Sequence, residues 1–339
     1  MASTETLIQA MNLIRANATP SYQERVPEAT RTNFADVMNP ILNFQPTTNE
    51  FLQSLINRIG MVLIRNRTAN NPLQVLKQGN MPLGKDIEEI FTNPAIAQTY
   101  NQKSTDLLAQ TPPDTKAIYH RLNRQDRYTV TYNQSQLAQA FVSYDTLNNF
   151  IDSVTNSLYS GNYIDEFILC KHLFAEAITK NKIIKQTISS ITDEQTAKNF
   201  IATARLYHTN FAFPSSNYNA YSLSGGTGKP VITWTPPEDI RFILRSDIEA
   251  FVDVNVLASA FNMSKADFLG QTLIVDNFDS AENCVAIMCD KSYTQIYDNL
   301  FQTGEFFNPS NLAWNLYLHV WQTYSVSTFC NAVAFVVGE

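Results

Sequence analysis

The chain has 339 residues, of which 44% are hydrophobic and 16% are charged, and its net charge is −7. The negative balance argues against a dedicated nucleic-acid-binding protein, because such proteins neutralise phosphates with Lys and Arg. The longest uninterrupted apolar runs, Cys284–Cys289 and Ala332–Val337, have six residues each, whereas a membrane-spanning helix needs about 20. A soluble folded protein is therefore expected, and its low charge favours a surface that is buried against copies of itself at low desolvation cost.

The first 45 residues are predicted to form a loosely attached arm. Short helical patterns around Met11 and Ile14 are followed by prolines at 20, 27, 40 and 46, and proline interrupts a helix because it lacks an N–H donor. We expect this arm to bury little against its own domain, and to be either mobile or ordered by neighbours.

Residues 84–133 combine strand patterns with polar, proline-containing connections and few large apolar side chains. Strand character is present at Lys85–Phe91, Lys116–Leu122 and Arg127–Asn133. A long two-stranded excursion is marginal in isolation. We therefore expect this region to pack on something else, such as another subunit.

Residues 135–182 are predicted to be helical, and the last helix of this region, Asn162–Lys182, is predicted to span about 30 Å, with Asn162 as its N-terminal cap. Its apolar residues recur at spacings of three and four; they are Tyr163, Phe167, Cys170, Phe174 and Ile178. Another helix is predicted near Glu194–Tyr207. The end of the chain is predicted to be β, with one apolar face formed by Leu312, Trp314, Leu316, Leu318 and Val320. Mixed helices and strands of this kind indicate an α+β fold.

The sequence contains no common catalytic or metal-binding pattern. The four cysteines, Cys170, Cys284, Cys289 and Cys330, lie in apolar surroundings without a C-x-x-C pair and are interpreted as buried free thiols. The four histidines have no metal-ligand spacing, and no cofactor is expected. An enzyme remains an alternative; it would use the turn-rich loop at residues 211–237 as a lid over a deep pocket.

Four segments carry a resemblance to a known family. They are NPLQVLKQGNMPLGKDIEEIF (Asn71–Phe91), NRQDRYTVTYNQSQLAQAFVSYDTLNNFIDSVTNSLY (Asn123–Tyr159), DIEAFVDVNVLASAFNMSKADFLGQTLIVDNF (Asp247–Phe278) and NPSNLAWNLYLHVWQTYSVSTFCNAVAFV (Asn308–Val336). These segments resemble the major capsid proteins of short-tailed phages of the phi-twenty-nine type, and the resemblance extends from about Thr47 to Val337.

The resemblance implies the capsid fold shared by tailed phages and herpesviruses, known as the HK-ninety-seven-like fold. Residues 1–83 would be an N-terminal arm with its helix, and residues 84–133 an extended two-stranded loop that lies over a neighbouring subunit. Residues 134–190 and 309–339 would form a peripheral lobe with the Asn162–Lys182 helix as its spine. Residues 191–308 would form an axial lobe.

The same resemblance implies a structural role without catalysis. Copies would assemble into pentamers and hexamers of an icosahedral-type shell around double-stranded DNA. The expected partners are other copies, a scaffolding protein, a portal or connector, and packaged DNA by non-specific proximity. The expected location is the virion, after assembly in the host bacterial cytoplasm. A non-viral shell of the same fold is the second alternative.

Charged residues in and beside the extended loop are our candidates for subunit contacts. They are Lys85, Glu88, Glu89, Arg121, Arg124 and Arg127.

Overall fold

The computed structural model describes residues 4–30, 33–52, 54, 71–97, 110–133, 136, 144–251 and 271–338. Its α-helices are Thr4–Asn17, Pro20–Arg25, Phe34–Asn43, 45–52, Tyr144–Thr179, Glu194–Asn210 and Ser246–Phe251. Its strands are β1 (Lys77–Asn80), β2 (Ile87–Thr92), β3 (Thr115–His120), β4 (Arg124–Asn133), β5 (Ile184–Ile188), β6 (Ile240–Arg245), β7 (Thr272–Val275), β8 (Cys284–Asp290), β9 (Thr294–Asn308), β10 (Ala313–Val326) and β11 (Ala332–Val337).

The chain divides into two compact units, each built from distant parts of the sequence. The first unit comprises Met1–Asn71, Arg124–Glu166 and Leu300–Trp321. The second unit comprises Pro72–Asn123, Phe167–Asn299 and Gln322–Glu339. The long helix Tyr144–Thr179, β9 and β10 each contribute residues to both units.

The second unit is centred on a five-stranded sheet with the order β5-β11-β8-β6-β7. Strand β8 pairs antiparallel with both β11 and β6, and the outer strands β5 and β7 pair in parallel with their neighbours. One face of the sheet packs on the second half of the long helix, and the other face packs on Glu194–Asn210. Coverage of both faces explains why β8 and β11 are continuous apolar runs and not alternating ones.

The first unit buries the N-terminal helices. Met11, Ile14, Tyr22 and Val26 are at most 4% exposed, and they share one core with the apolar face of β10. The Arg15 guanidinium also donates a hydrogen bond of 2.7 Å to the Val26 carbonyl. The prediction of a loose arm that buries little was therefore wrong, because the apolar stripe of this arm meets a stripe near the other end of the chain.

Residues 144–161, which were predicted to be helical, are continuous with the helix that follows, as one helix Tyr144–Thr179. The predicted start of a separate helix at Asn162 was therefore wrong. Asn162 is buried in the middle of this helix and is not its cap. The predicted apolar stripe is confirmed in the second unit, where Cys170, Phe174 and Ile178 lie in the core.

Strand β10 carries the predicted alternating face. Trp314, Leu316, Leu318 and Val320 are 5% exposed or less. Leu312 does not belong to that face: it lies before the strand with a φ of 53° and is 52% exposed.

A four-stranded sheet has the order β1-β9-β10-β4. The third strand predicted within residues 84–133 is β4, and it joins β10 in this sheet. Strands β2 and β3 pair only with each other among the described strands.

The cysteines are free thiols, with Cys170, Cys284 and Cys289 buried and Cys330 half-buried. Burial raises the pKa of the Cys284 thiol to about 12, so this thiol is inert at neutral pH.

Within the described part of the chain, no helix is both long and apolar enough to cross a bilayer.

Candidate assembly surface

Strands β2 and β3 form a two-stranded antiparallel ladder in the second unit. Ile87 pairs with His120 at one end, and Thr92 pairs with Thr115 at the other. Side chains alternate between the two faces of a strand pair, and the burial pattern follows this alternation. The ladder therefore has an inner face and an outer face with different environments.

The inner face is fastened to its own chain by a polar cluster. The His120 side chain is fully buried, with Nδ1 2.8 Å from Ser325 Oγ and Nε2 3.0 Å from Glu89 Oε2. The Ser327 hydroxyl donates to the other Glu89 oxygen at 2.7 Å. Every polar group in this cluster has a partner, which is the condition under which buried polar groups stabilise a fold.

The far end of the inner face packs on residues that follow β10 and on the turn-rich loop. The ring of Phe91 lies 5.5 Å from that of Phe329. The Asn93 carboxamide donates to the Pro230 carbonyl at 3.0 Å and accepts from the Ile232 amide at 3.1 Å. Lys116 lies over the Tyr221 ring at 5.0 Å. The path of the ladder is thus set by its own chain.

The outer face of the ladder carries exposed apolar residues. Ile90 is 63% exposed and Tyr119 is 56% exposed. The Tyr119 hydroxyl donates to Glu88 at 2.9 Å. This hydrogen bond and the charge of Glu88 raise the pKa of Tyr119. We call this set the ladder face; it consists of Glu88, Ile90, Thr92, Thr115, Ala117 and Tyr119.

Strand β4 in the first unit also has two different faces. Tyr128, Val130 and Tyr132 pack on the core, whereas Arg127, Thr129 and Thr131 are exposed. The same side of the sheet continues onto β10, whose residues on that side are half-buried. We call it the sheet face; it consists of Gln125, Arg127, Thr129 and Thr131 of β4 with Asn315, Tyr317, His319 and Trp321 of β10.

Arg124 lies on the inner side of β4 and is only 5% exposed. Its guanidinium pairs with Asp126 at 2.6 Å and donates to the Tyr128 hydroxyl at 2.7 Å and to Asn162 Oδ1 at 3.2 Å. The Tyr128 hydroxyl in turn donates to Asp165 at 2.5 Å. Burial and this hydrogen bond raise the pKa of Tyr128 above its ordinary value. Arg124 is thus an internal link between β4 and the long helix within the first unit.

The six residues predicted to make subunit contacts fall into two groups that differ in exposure. Lys85, Glu88, Arg121 and Arg127 are exposed. Glu89 and Arg124 are instead engaged inside their own chain. Glu88 and Glu89 differ in this way because neighbouring residues of a strand point to opposite faces.

Sequence reasoning missed the residues that hold the ladder in place. These include His120, Asn93, Ser325, Ser327 and Phe329. One signal was available: Ile87 and Phe91 alternate with Glu88 and Ile90, which indicates two unequal faces. The partners of the inner face are remote in sequence: Ser325, for example, lies about 200 residues after His120. No local pattern identifies such partners.

The loop at residues 211–237 is anchored at several points. It forms bridges between Ser215 and Thr233 and between Asn219 and Asn331. The Asn219 side chain is buried and donates to the Val231 carbonyl at 2.8 Å. A Cβ at Gly226 would lie 2.5 Å from Tyr221 atoms, so a glycine is required there.

An open cavity of about 460 Å³ lies elsewhere in the second unit. It is lined by Thr187, Ile188, Ser189, Thr196, Asn199, Phe200, Thr203 and Gly338. None of these residues belongs to the 211–237 loop, and none has an ionisable side chain. In the described residues, no group of three or more His, Cys, Asp or Glu side chains could hold a metal ion.

Comparison with known proteins gives consistent matches over nearly the whole chain. A family model described as Phi29-like phage major capsid protein matches residues 11–336. The chain is 37% identical to the major capsid protein of Bacillus phage PZA, over 97% of this chain and 72% of the relative. It is 29% identical to the major capsid protein of Streptococcus phage Cp-1, over 98% of this chain and 94% of the relative.

A solved structure supports the fold independently of sequence. The capsid structure of Staphylococcus phage Andhra matches with a TM-score of 0.64 at 15% identity, covering 79% of this chain and 84% of that chain. The expected α+β fold of the HK-ninety-seven-like type is confirmed by this likeness. The lobe boundaries within the fold stay predictions.

Proposed function

The chain belongs to the Phi29-like phage major capsid protein family, and we propose that its copies form pentamers and hexamers of a closed shell around double-stranded DNA. As a member of this family, it is a shell-forming structural protein of the phage virion and not an enzyme. Assembly in the host bacterial cytoplasm, with a scaffolding protein and a portal or connector, is part of the same proposal. The alternative of a non-viral shell is set aside because the matched relatives are phage proteins.

The ladder is the observation that carries this proposal. Its inner face is occupied by its own chain, while its outer face leaves Ile90 and Tyr119 more than half exposed. Exposed apolar surface of this kind is typical of a site where another protein packs. We assign residues 84–123 to the loop that lies over a neighbouring subunit, and retain Lys85, Glu88, Arg121 and Arg127 as contact residues.

Closed shells are built from repeated contacts, each of which is modest. Ion pairs between exposed side chains contribute about 0–1 kcal/mol each, so they suit reversible addition of subunits. Packaged DNA would lie near the shell wall without specific contacts, since the net charge of −7 argues against a dedicated nucleic-acid-binding protein.

Negative-stain electron microscopy of the purified chain, alone and with a co-expressed scaffold from the same phage, tests this proposal. Closed particles, or rings with five-fold and six-fold symmetry, are the expected result. Particles from infected cells should also contain nuclease-protected double-stranded DNA. A strictly monomeric protein under both conditions would contradict the proposal that copies self-assemble into pentamers and hexamers.

A further inference from the structure

Strand β5 forms one edge of the five-stranded sheet in the second unit. It pairs in parallel with β11 on one side, and none of the other described strands pairs with its second side. An edge strand presents a row of backbone N–H and C=O groups that can pair with a further strand. The outer edge of β5 is therefore a place where another chain can extend the sheet.

The contacts of β5 with β11 show which of its backbone groups point away from the sheet. Gly338 donates its N–H to the Ile188 carbonyl at 3.1 Å, so the backbone of Ile188 faces β11. Residues alternate along a parallel ladder, which directs the backbone groups of Lys185 and Thr187 outward. The Gln186 carboxamide donates to the Thr187 carbonyl at 2.8 Å. Among the described residues, the Lys185 N–H and C=O and the Thr187 N–H have no partner on this side.

The open cavity of about 460 Å³ lies beside this edge, where the end of β5 meets the helix Glu194–Asn210. Thr196, Asn199 and Thr203 of the helix line it, together with buried Phe200. A strand added to β5 would direct every second side chain to the helix side of the sheet. Because the lining carries hydroxyl and carboxamide groups and no charge, small polar side chains fit this cavity.

The edge carries an unpaired positive charge at Lys185. This side chain is exposed and forms no ion pair with the described residues, whereas Lys180 and Lys198 of the flanking helices pair with glutamates. Strand β5 has no acidic residue. A lysine on an edge strand disfavours pairing with a second copy of the same strand, because like charges would meet, and it favours a strand that carries a carboxylate.

We propose that β5 accepts an extended acidic segment of a partner protein, in which carboxylate side chains alternate with small polar ones. The segment pairs with the outward backbone groups of Lys185 and Thr187. It places its carboxylates beside the Lys185 ammonium and its small side chains in the cavity. In such strand addition, the backbone hydrogen bonds give affinity and the alternate side chains give specificity. This inference goes beyond the proposed shell and does not depend on it.

A peptide strand fits this edge better than nucleic acid does. The open backbone groups include a carbonyl acceptor at Lys185, and a phosphate backbone has no donor to match it. Binding to nucleic acid also requires several cations that neutralise phosphates, and β5 offers one unpaired lysine. The outward groups and the charge together match a peptide that carries both N–H donors and carboxylates.

Binding of a labelled peptide of alternating Glu and Thr residues to the full-length chain tests the proposal. Fluorescence anisotropy gives the Kd, and hydrogen exchange with mass spectrometry and residue-level fragmentation locates the contact. We expect the Lys185 and Thr187 amides to exchange more slowly when the peptide is bound, because they become hydrogen-bonded. The Gln186 amide, which already faces β11, should be unchanged.

Two variants separate the charge from the backbone pairing. Lys185→Glu should raise the Kd about five-fold or more. Thr187→Pro removes an outward N–H without removing a bond to β11, and should raise the Kd about ten-fold. Lys229→Glu is the matched control, because Lys229 is exposed and lies outside β5 and the cavity.

Thermal unfolding of each variant checks that it is folded. If Thr187→Pro does not fold, a peptide methylated at alternate backbone nitrogens tests the same pairing, and it should bind the wild type about ten-fold more weakly.

Three outcomes overturn the proposal. The first is a wild-type chain that does not bind the peptide at millimolar concentration, or binds it without protecting the Lys185 and Thr187 amides. The second is an affinity that neither variant changes. The third is equal binding of a DNA duplex, lost in Lys185→Glu but retained in Thr187→Pro, which would show contact by charge alone. Each of these outcomes leaves the shell proposal standing, because electron microscopy tests the shell separately.

Discussion

Two arginines that are three residues apart have different roles. The Arg121 side chain is 73% exposed and pairs with Asp86 at 3.0 Å, whereas the Arg124 side chain is 5% exposed. An exposed ion pair contributes little to stability because water and salt screen it. A buried cation that balances nearby carboxylates cannot be removed cheaply, since its partners are left uncompensated.

We therefore predict that Arg124→Ala lowers the free energy of unfolding by about 3 kcal/mol. Arg121→Ala, the matched control, should change it by less than about 0.5 kcal/mol. Urea denaturation followed by circular dichroism measures both values. Equal and small effects would mean that the hydrogen bonds from Arg124 to Tyr128 and Asn162 do not form in solution.

Glu305 is a half-buried residue whose Oε2 atom is buried and has no hydrogen-bond partner among the residues that the structure describes. Burial raises its pKa to about 8, above the ordinary value for an unfolded chain. The folded protein thus keeps the proton at a pH where the unfolded chain has lost it. The contribution of the protonated Glu305 carboxyl to the free energy of unfolding is complete below about pH 4.5, and it is lost as the pH rises through about 8.

Replacing Glu305 with Gln should remove this dependence. We predict that Glu305→Gln has a free energy of unfolding about 2 kcal/mol above that of the wild type at pH 8.5, allowing for partial solvent exposure, and similar to it at pH 5. Urea denaturation at the two pH values is the measurement. Glu24→Gln, at an exposed position, is the control. A wild type with the same stability at both pH values would contradict the effect.

At the scale of elements, the ladder depends on one of two adjacent glutamates. Glu89 links β2 to buried His120 and to Ser327, while Glu88 points to the outer face. Without the Glu89 carboxylate, the His120 ring and the Ser327 hydroxyl would each lose a hydrogen bond in a buried site. An unsatisfied buried polar group costs about 1–3 kcal/mol.

We predict that Glu89→Ala speeds amide hydrogen exchange in β2 and β3 about ten-fold or more, because the ladder opens more often. Glu88→Ala should leave these rates close to those of the wild type. Hydrogen exchange with mass spectrometry resolves the two strands as separate peptides. Unchanged exchange in Glu89→Ala would show that the other contacts of the inner face, such as that between Phe91 and Phe329, hold the ladder without the Glu89 carboxylate.

At the scale of the whole molecule, the core of the first unit draws residues from both ends of the chain. Ile14 is 4% exposed and packs in the same cluster as Leu316 and Leu318. Trp314 also donates its indole N–H to Asn49 at 2.8 Å. The N-terminal residues are thus an integral part of a folded unit.

Adjacent residues in the first helix test this integration. We predict that Ile14→Ala lowers the free energy of global unfolding by about 3 kcal/mol. Leu13→Ala, at a position 45% exposed, should change it by less than about 0.5 kcal/mol. Thermal and urea unfolding of the full chain provide the values. Equal, negligible effects would restore the earlier expectation of a loosely attached arm.

The sequence by itself determined the family, the fold class and the elements whose periodicity is local. The face of β10 from Trp314 to Val320, the buried run of β8 and the helical stripe through Phe174 all follow from the spacing of apolar residues. Such spacing records which side of an element is buried, because a strand repeats every two residues and a helix about every 3.6.

Only the tertiary structure decided what covers each face. It placed Glu89 and Arg124 inside and left Glu88 and Arg121 outside, although all four are charged residues in similar local contexts. It also carried the long helix through Asn162 and buried the N-terminal helices against β10. The physical reason is that burial depends on partners that are remote in sequence, and a local pattern contains no information about which remote segment will supply them.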